Sequence, residues 1–211
     1  AEKRRAKAAR SKEVIKEAVV RAPLLVRSAE SAMRFLLGWV LAGGEIFGGF
    51  SPFGVGLAAS AGSGLDGLMA TLGAALGYLT LRGLTEGLRY AAACVLTFSV
   101  AFAFYDIRIY KKGWFMPFIS AGMTAVTGFV YLSDARWTPA QAVFFVTEIL
   151  LAGASAYFYR LAFSPWQSPR EELLDTRQAV SLLFLLGTLL ISLGGLTFFG
   201  DLSMGRVLSV A

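Results

Sequence analysis

MRFLLGWVLAGGEIFGGFSPFGVGLAASAGSGLDGLMATLGAALGYLTL, residues 33–81, holds only three charged side chains in 49 positions: Arg34, Glu45 and Asp66. A water-soluble chain carries about a quarter charged residues, because its surface must face water. This stretch reads instead as apolar segments built for lipid. It divides at Ser51 and at Leu65–Asp66 into segments 33–50, 52–64 and 67–81, and further apolar segments follow at 89–105, 114–132, 139–160 and 178–199. A straight crossing takes about 20 residues, with a lower limit near 17. The pair 52–64 and 67–81 falls short of that. Either each crosses with help from its flanks, or together they form one bent or re-entrant unit. The expected fold is all-α: a polytopic integral membrane helix bundle of seven short spans, or six if 52–81 forms one unit.

The whole chain agrees with that reading. Hydrophobic residues make up 56% and charged residues 16%, and the mean hydropathy is +0.62. The charges are unevenly placed. Ten of the 20 Lys and Arg precede Phe35, and the other ten sit in short clusters between apolar runs. Residues 1–32 therefore form a basic tail ahead of a multi-spanning region, 33–211. Several apolar segments follow the first, which excludes a cleaved signal peptide. No aromatic residue interleaves the basic residues of the tail, so its charge does not imply nucleic acid. It fits a cytoplasmic flank drawn to anionic headgroups. Val14, Ile15, Ala18 and Val19 fall at helical spacing until Pro23 interrupts them. A surface-lying amphipathic helix and a solvated tail both satisfy that short stripe.

Loop charge favours seven crossings. With a cytoplasmic N-terminus, seven crossings place 16 basic residues inside and 4 outside, whereas six place 14 inside and 6 outside. Cytoplasmic loops are enriched in Lys and Arg. The link Arg82–Gly87 reads as a turn, and Asp106–Gly113 reads as a basic cytoplasmic loop. Asp134, Arg136 and Trp137 mark an interface. Ser164–Pro169 reads as a rigid connector into a short surface helix at 170–175.

Little in the chain can carry chemistry. There is no histidine, which removes His-based triads and the usual nitrogen ligands of zinc. Cys94 is the only cysteine, so no intrachain disulfide can form. Nucleotide, zinc-protease, dithiol and serine-hydrolase motifs are all missing. No catalytic residue and no metal or cofactor site is expected.

Two carboxylates lie inside apolar runs, Glu45 and Glu148. An ionised carboxylate in lipid costs several kcal/mol, about 3 by insertion scales, so each needs a partner, a cavity or a backbone donor. They are candidates for an ion or proton path, or for polar groups that fix helix packing. Asp66 and Asp134, at segment ends, read as solvated. Gly44 and Gly48 are spaced four apart, as are Gly73 and Gly77, a spacing that lets helix backbones approach closely and also permits dimerisation. In Ser51-Pro52-Phe53-Gly54, Pro52 removes a backbone donor and disfavours helix at Ser51. A tight reversal between two spans accounts for it. A broken helix lining a binding site is the alternative.

Phe35-Leu36-Leu37-Gly38, then Gly44-Glu45, then Ser51-Pro52-Phe53-Gly54 resemble the start of the membrane region of the stage II sporulation protein E family. Glu148 within VTEILLAGAS, the Glu171-Glu172 connector and SLLFLLGTLLISLGGL (181–196) resemble later parts of it. The order of features matches over most of residues 30–200.

The resemblance implies a protein with about ten spans, a central regulatory region and a C-terminal PP2C-type serine phosphatase domain needing manganese or magnesium. It implies a phosphorylated anti-anti-sigma factor as substrate, so that the enzyme activates the forespore sigma factor. It also implies a place in the bacterial cytoplasmic membrane at the polar septum, with the tubulin-like division protein as partner. On this reading the chain is the basic tail and the first seven spans, an anchoring and localisation region with the lipid bilayer as its solvent and self-association open to it. The catalytic domain would lie downstream. The rival expectation is a small-solute or ion transporter that uses Glu45 and Glu148.

Overall fold

Helix α1 occupies residues 27–42 and stops where Gly43 and Gly44 enter the chain. The computed structural model describes residues 27–46, 49–132, 138–163, 176–195, 197–198 and 202–203. After α1, Ile46 and Phe50 exchange two backbone hydrogen bonds, of 2.8 and 3.1 Å, and reverse the chain. Helix α2, Phe53–Ser60, follows at once. Helices α3 (Leu65–Phe104), α4 (Phe115–Leu132), α5 (Pro139–Phe163) and α6 (Thr176–Gly195) come next. A minimal antiparallel ladder pairs Thr197–Phe198 with Leu202–Ser203.

A straight α3 would reach about 60 Å at 1.5 Å per residue. It is folded instead. Gly83 adopts φ 74°, ψ 175°, a conformation essentially reserved for glycine. The ring of Tyr78, before the bend, stacks on that of Tyr90 after it, with centroids 4.7 Å apart. At the far ends of the two limbs, Leu65 and Tyr105 line one cavity. Helix α3 is therefore a helical hairpin.

Its first limb runs parallel to α1. Ser31 donates to Asp66 at 3.2 Å, Arg34 pairs with the same carboxylate at 3.4 Å, and Trp39 donates to Thr80 at 3.0 Å. The two backbones nearly touch. A Cβ on Gly73 would lie 2.0 Å from the carbonyl oxygen of Phe35. Helices α4 and α5 are antiparallel, with the Ser120 hydroxyl donating to the Ala152 carbonyl at 3.1 Å. Helix α6 lies against α5 through the Tyr159–Thr188 hydrogen bond, 2.7 Å, and the stacked rings of Phe158 and Phe184.

Helix α2 sits inside this assembly, packed on α3, α4 and α5, with Phe53 to Ala59 all buried. Its eight residues reach about 12 Å, far short of a hydrocarbon core of about 30 Å. The segment 52–64 is thus a buried half-helix.

The packing is inverted relative to a soluble protein. Leu36, Phe102, Phe118, Leu150, Leu183 and Leu190 face outward, while Thr97, Ser120, Thr124, Ser155, Thr188 and Ser192 are buried. Large apolar residues outside and small or hydroxylated ones inside are what lipid-solvated helices need. Helices α3, α5 and α6 are long and apolar enough to cross a membrane.

Several boundaries differ from the sequence reading. The helix expected over 33–50 ends at residue 42, because the glycines that follow favour the reversal. The expected turn over Arg82–Gly87 is helical except at Gly83, where one glycine absorbs the whole bend. Gly44 lies past the end of α1, so it forms no helical small-residue stripe; it abuts Ser192 and Phe53 instead. The tail through residue 26, Gly48, the 133–137 interface and the 164–175 connector lie outside the described residues.

Candidate functional site

The chain break at 43–52 poses a problem of unpaired backbone. Inside an apolar bundle every N–H and C=O needs a partner, and no water is at hand. Helix α2 adds the free N–H groups of its first turn, and Pro52 at its N-cap supplies no side-chain cap. The bundle answers with side chains from other helices. From the first limb of α3, the Tyr78 hydroxyl donates to the Ser51 carbonyl and accepts from the Gly54 N–H at 3.1 Å. From the second limb, the Tyr90 hydroxyl accepts from the Ser51 N–H at 3.0 Å. Ser51 itself donates through its hydroxyl to the Ala42 carbonyl at 3.0 Å, tying the turn to the end of α1. Arg82 donates to the Gly49 carbonyl at 2.6 Å.

Behind this ring lies an ion pair. Arg89 on α3 meets both carboxylate oxygens of Glu148 on α5, at 3.2 and 3.3 Å. Glu148 is wholly buried and Arg89 is 9% exposed. The Tyr90 hydroxyl donates to Glu148, and Arg89 also donates to that hydroxyl. The guanidinium stands over the Tyr90 ring, 4.2 Å from its centre. Glu148 further approaches the Ser51 N–H at 3.4 Å. The carboxylate therefore faces the N-terminal end of α2, where the helix dipole favours negative charge.

The network continues outward. Arg82 pairs with Glu45 at 3.1 Å and more loosely with Glu86 at 3.9 Å, and its guanidinium lies 5.6 Å from the Tyr90 ring centre. Glu45 is exposed and stands beyond the end of α1, so it does not sit within a helical span. A continuous line of polar groups thus runs from exposed Glu45 through Arg82 and Tyr90 to Glu148 and Arg89. It joins both carboxylates singled out from the sequence, and it encloses the Ser51-Pro52-Phe53-Gly54 turn. Gly73 and Gly77 lie elsewhere, at the contact between α1 and α3.

Sequence reading missed Arg89, which it counted as a loop charge, and the two tyrosines. A signal existed. Glu148 needed a counter-charge, and Arg82 and Arg89 stand at the edges of the apolar runs 67–81 and 89–105. Chemically the Tyr90 hydroxyl is tied up between Arg89, the Ser51 N–H and Glu148, and no metal-ligating group of three occurs among the described residues. Its acid is matched by a permanent cation. The arrangement can hold a turn rigid, or carry charge if the pair opens.

Comparison with protein-family models, with curated proteins and with solved structures finds no match for this chain.

Proposed function

We propose that this chain is a membrane anchor and localisation region, a rigid multi-spanning platform for a larger protein. The observation that carries the reading is the closure of the buried cluster. Arg89, Tyr90 and the Ser51 backbone all converge on Glu148, so the strongest polar groups in the interior hold the fold together. In agreement with the family resemblance, the cargo would be a PP2C-type serine phosphatase acting on a phosphorylated anti-anti-sigma factor, held at the polar septum beside the tubulin-like division protein. A fluorescent protein fused ahead of Ala1 tests this in a sporulating bacterium. The fusion is expected to concentrate at the polar septum; uniform labelling of the whole membrane would sink the localisation role.

The proposed topology has seven passes and a cytoplasmic N-terminus, the return between α1 and the parallel first limb of α3 being made by the short α2 together with its non-helical flanks. Its support is the charge at the two ends of the bundle. Arg27, Arg34, Arg108, Lys111, Lys112, Arg160 and Arg177 belong to the end where α1 begins. The end near the Gly83 bend carries two basic residues, Arg82 and Arg89, among the described ones, with Glu45, Glu86 and Glu148 beside them. Basic residues favour the cytoplasmic side. Single cysteines at Leu65, Leu84 and Ile107 test it with an impermeant maleimide on intact cells, the native Cys94 being buried. Seven crossings require Leu84→Cys to label and the other two to be protected. With six crossings the Leu84 and Ile107 results exchange.

The polar line from Glu45 to Glu148 favours a second reading, in which transient opening of the Arg89–Glu148 pair moves a proton or small cation. The charge-removal variants described in the Discussion separate the two.

A further inference from the structure

The basic end of the bundle contains a cavity of about 650 Å³. Among the described residues, three arginines, Arg27, Arg34 and Arg160, and one aspartate, Asp66, line it. Arg34 is held in place by Asp66 at 3.4 Å and by the ring of Phe163, 5.2 Å below its guanidinium. Arg160 differs. Its Nη1 is buried and meets no hydrogen-bond acceptor among the described residues. A charged donor with no acceptor among the described residues is disfavoured, so the position suits an anionic acceptor.

A second feature says which kind. Tyr157 and Leu161, on the cavity wall, also line a groove of about 360 Å³ between α5 and α6, with Phe158 and Val180 beside them and Arg177 at its edge. A free phosphate would occupy only part of the basic cavity and none of this apolar groove. We propose that the two together bind one anionic phospholipid, its phosphodiester between Arg34 and Arg160 and an acyl chain along α5 and α6. Basic pockets between helices at a cytoplasmic interface suit such headgroups. Tyr105 and Tyr110 on the cavity rim place it at headgroup depth. This inference rests on the bundle standing in a bilayer with that end at an interface; it is independent of the cargo the anchor carries.

The test uses the full chain, purified in a neutral detergent, with native mass spectrometry as the readout and phosphatidylglycerol or phosphatidylcholine as the added lipid. Phosphatidylglycerol is expected to be retained on the order of tenfold better. Arg160→Gln should weaken that retention about fivefold, while Lys112→Gln, at the same end but outside the cavity, should not. If Arg160→Gln does not fold, Arg27→Gln carries the same expectation. Equal retention of the two lipids, or equal effects of Arg160→Gln and Lys112→Gln, would overturn the site. Displacement of the lipid by millimolar inorganic phosphate would also overturn it, in favour of a free anion. A chain that fails to enter the membrane fraction at all would instead overturn the bilayer reading.

Discussion

Arg89→Leu is expected to destabilise the bundle by about 3–5 kcal/mol, because it leaves the wholly buried carboxylate of Glu148 without its cation. For a chain of this size that corresponds to a drop on the order of 10 °C in the melting temperature of the detergent-solubilised protein. The mechanism is specific. A buried ion pair gains little over an apolar pair of similar size, since desolvation offsets the attraction, yet an orphaned member is costly. Arg89→Leu combined with Glu148→Leu should therefore recover at least half of the loss, even though neither leucine restores a polar contact. If the double variant is as unstable as the sum of the two singles, the pair is not the coupled unit its geometry describes. The same variant discriminates the functional readings. An anchor carrying both leucines still reaches the septum; a charge-moving protein reconstituted into liposomes would lose its flux.

Gly73→Ala should cost about 3 kcal/mol, at the upper end of ordinary overpacking. The added methyl would point at the backbone of α1, 2.0 Å from the Phe35 carbonyl oxygen and 2.7 Å from its carbon. No side-chain rotation relieves a clash with main chain, so α1 must lift away and strain the Trp39–Thr80 and Arg34–Asp66 contacts that set its register. Gly122→Ala is the matched control. Nothing lies within 4 Å of a Cβ there, and alanine is the better helix former by about 1 kcal/mol. One substitution type should thus move stability in opposite directions at two helical glycines. A similar gain at both would show that helix propensity, and not the α1–α3 approach, governs them. Denaturation in mixed micelles with a tryptophan fluorescence readout measures both.

Much of the architecture was legible in the sequence because hydropathy reports which segments prefer lipid. Helices α4, α5 and α6 begin and end within a few residues of the apolar runs that announce them. Helix α2 was not legible as a half-helix. Its composition is as apolar as a crossing, and only its enclosure by α3, α4 and α5 reveals that it stops short. Helix α3 misled in the opposite sense, because its polar stretch from Arg82 to Glu86 looks like a loop yet stays helical on both sides of Gly83. The candidate site was half visible. Glu148 stood out as an acid in an apolar run. Tyr78 and Tyr90 did not, since an aromatic in a span is ordinary until a broken backbone beside it needs a hydroxyl. Glu45 stood out for the wrong reason: hydropathy placed it inside a span, whereas the glycines around it end the helix first.

The separation in sequence between the turn and its partners has a consequence for how the protein is made. Ser51 lies 97 residues before Glu148, and Arg89 lies 59 before it. During synthesis at about 5–20 residues per second, the interval between Arg89 and Glu148 lasts about 3–12 s. Over that time the turn at 49–54 has Tyr78, Arg82 and Tyr90 to meet it, but the Arg89 guanidinium has entered, or waits to enter, an apolar environment without its carboxylate. The nascent chain must therefore keep this half of the bundle at the insertion machinery, or in contact with water, until α5 emerges. Biogenesis of the protein is in this sense gated by a single late acid, and a ribosome pausing before Glu148 would lengthen the vulnerable interval without altering any residue of the finished fold.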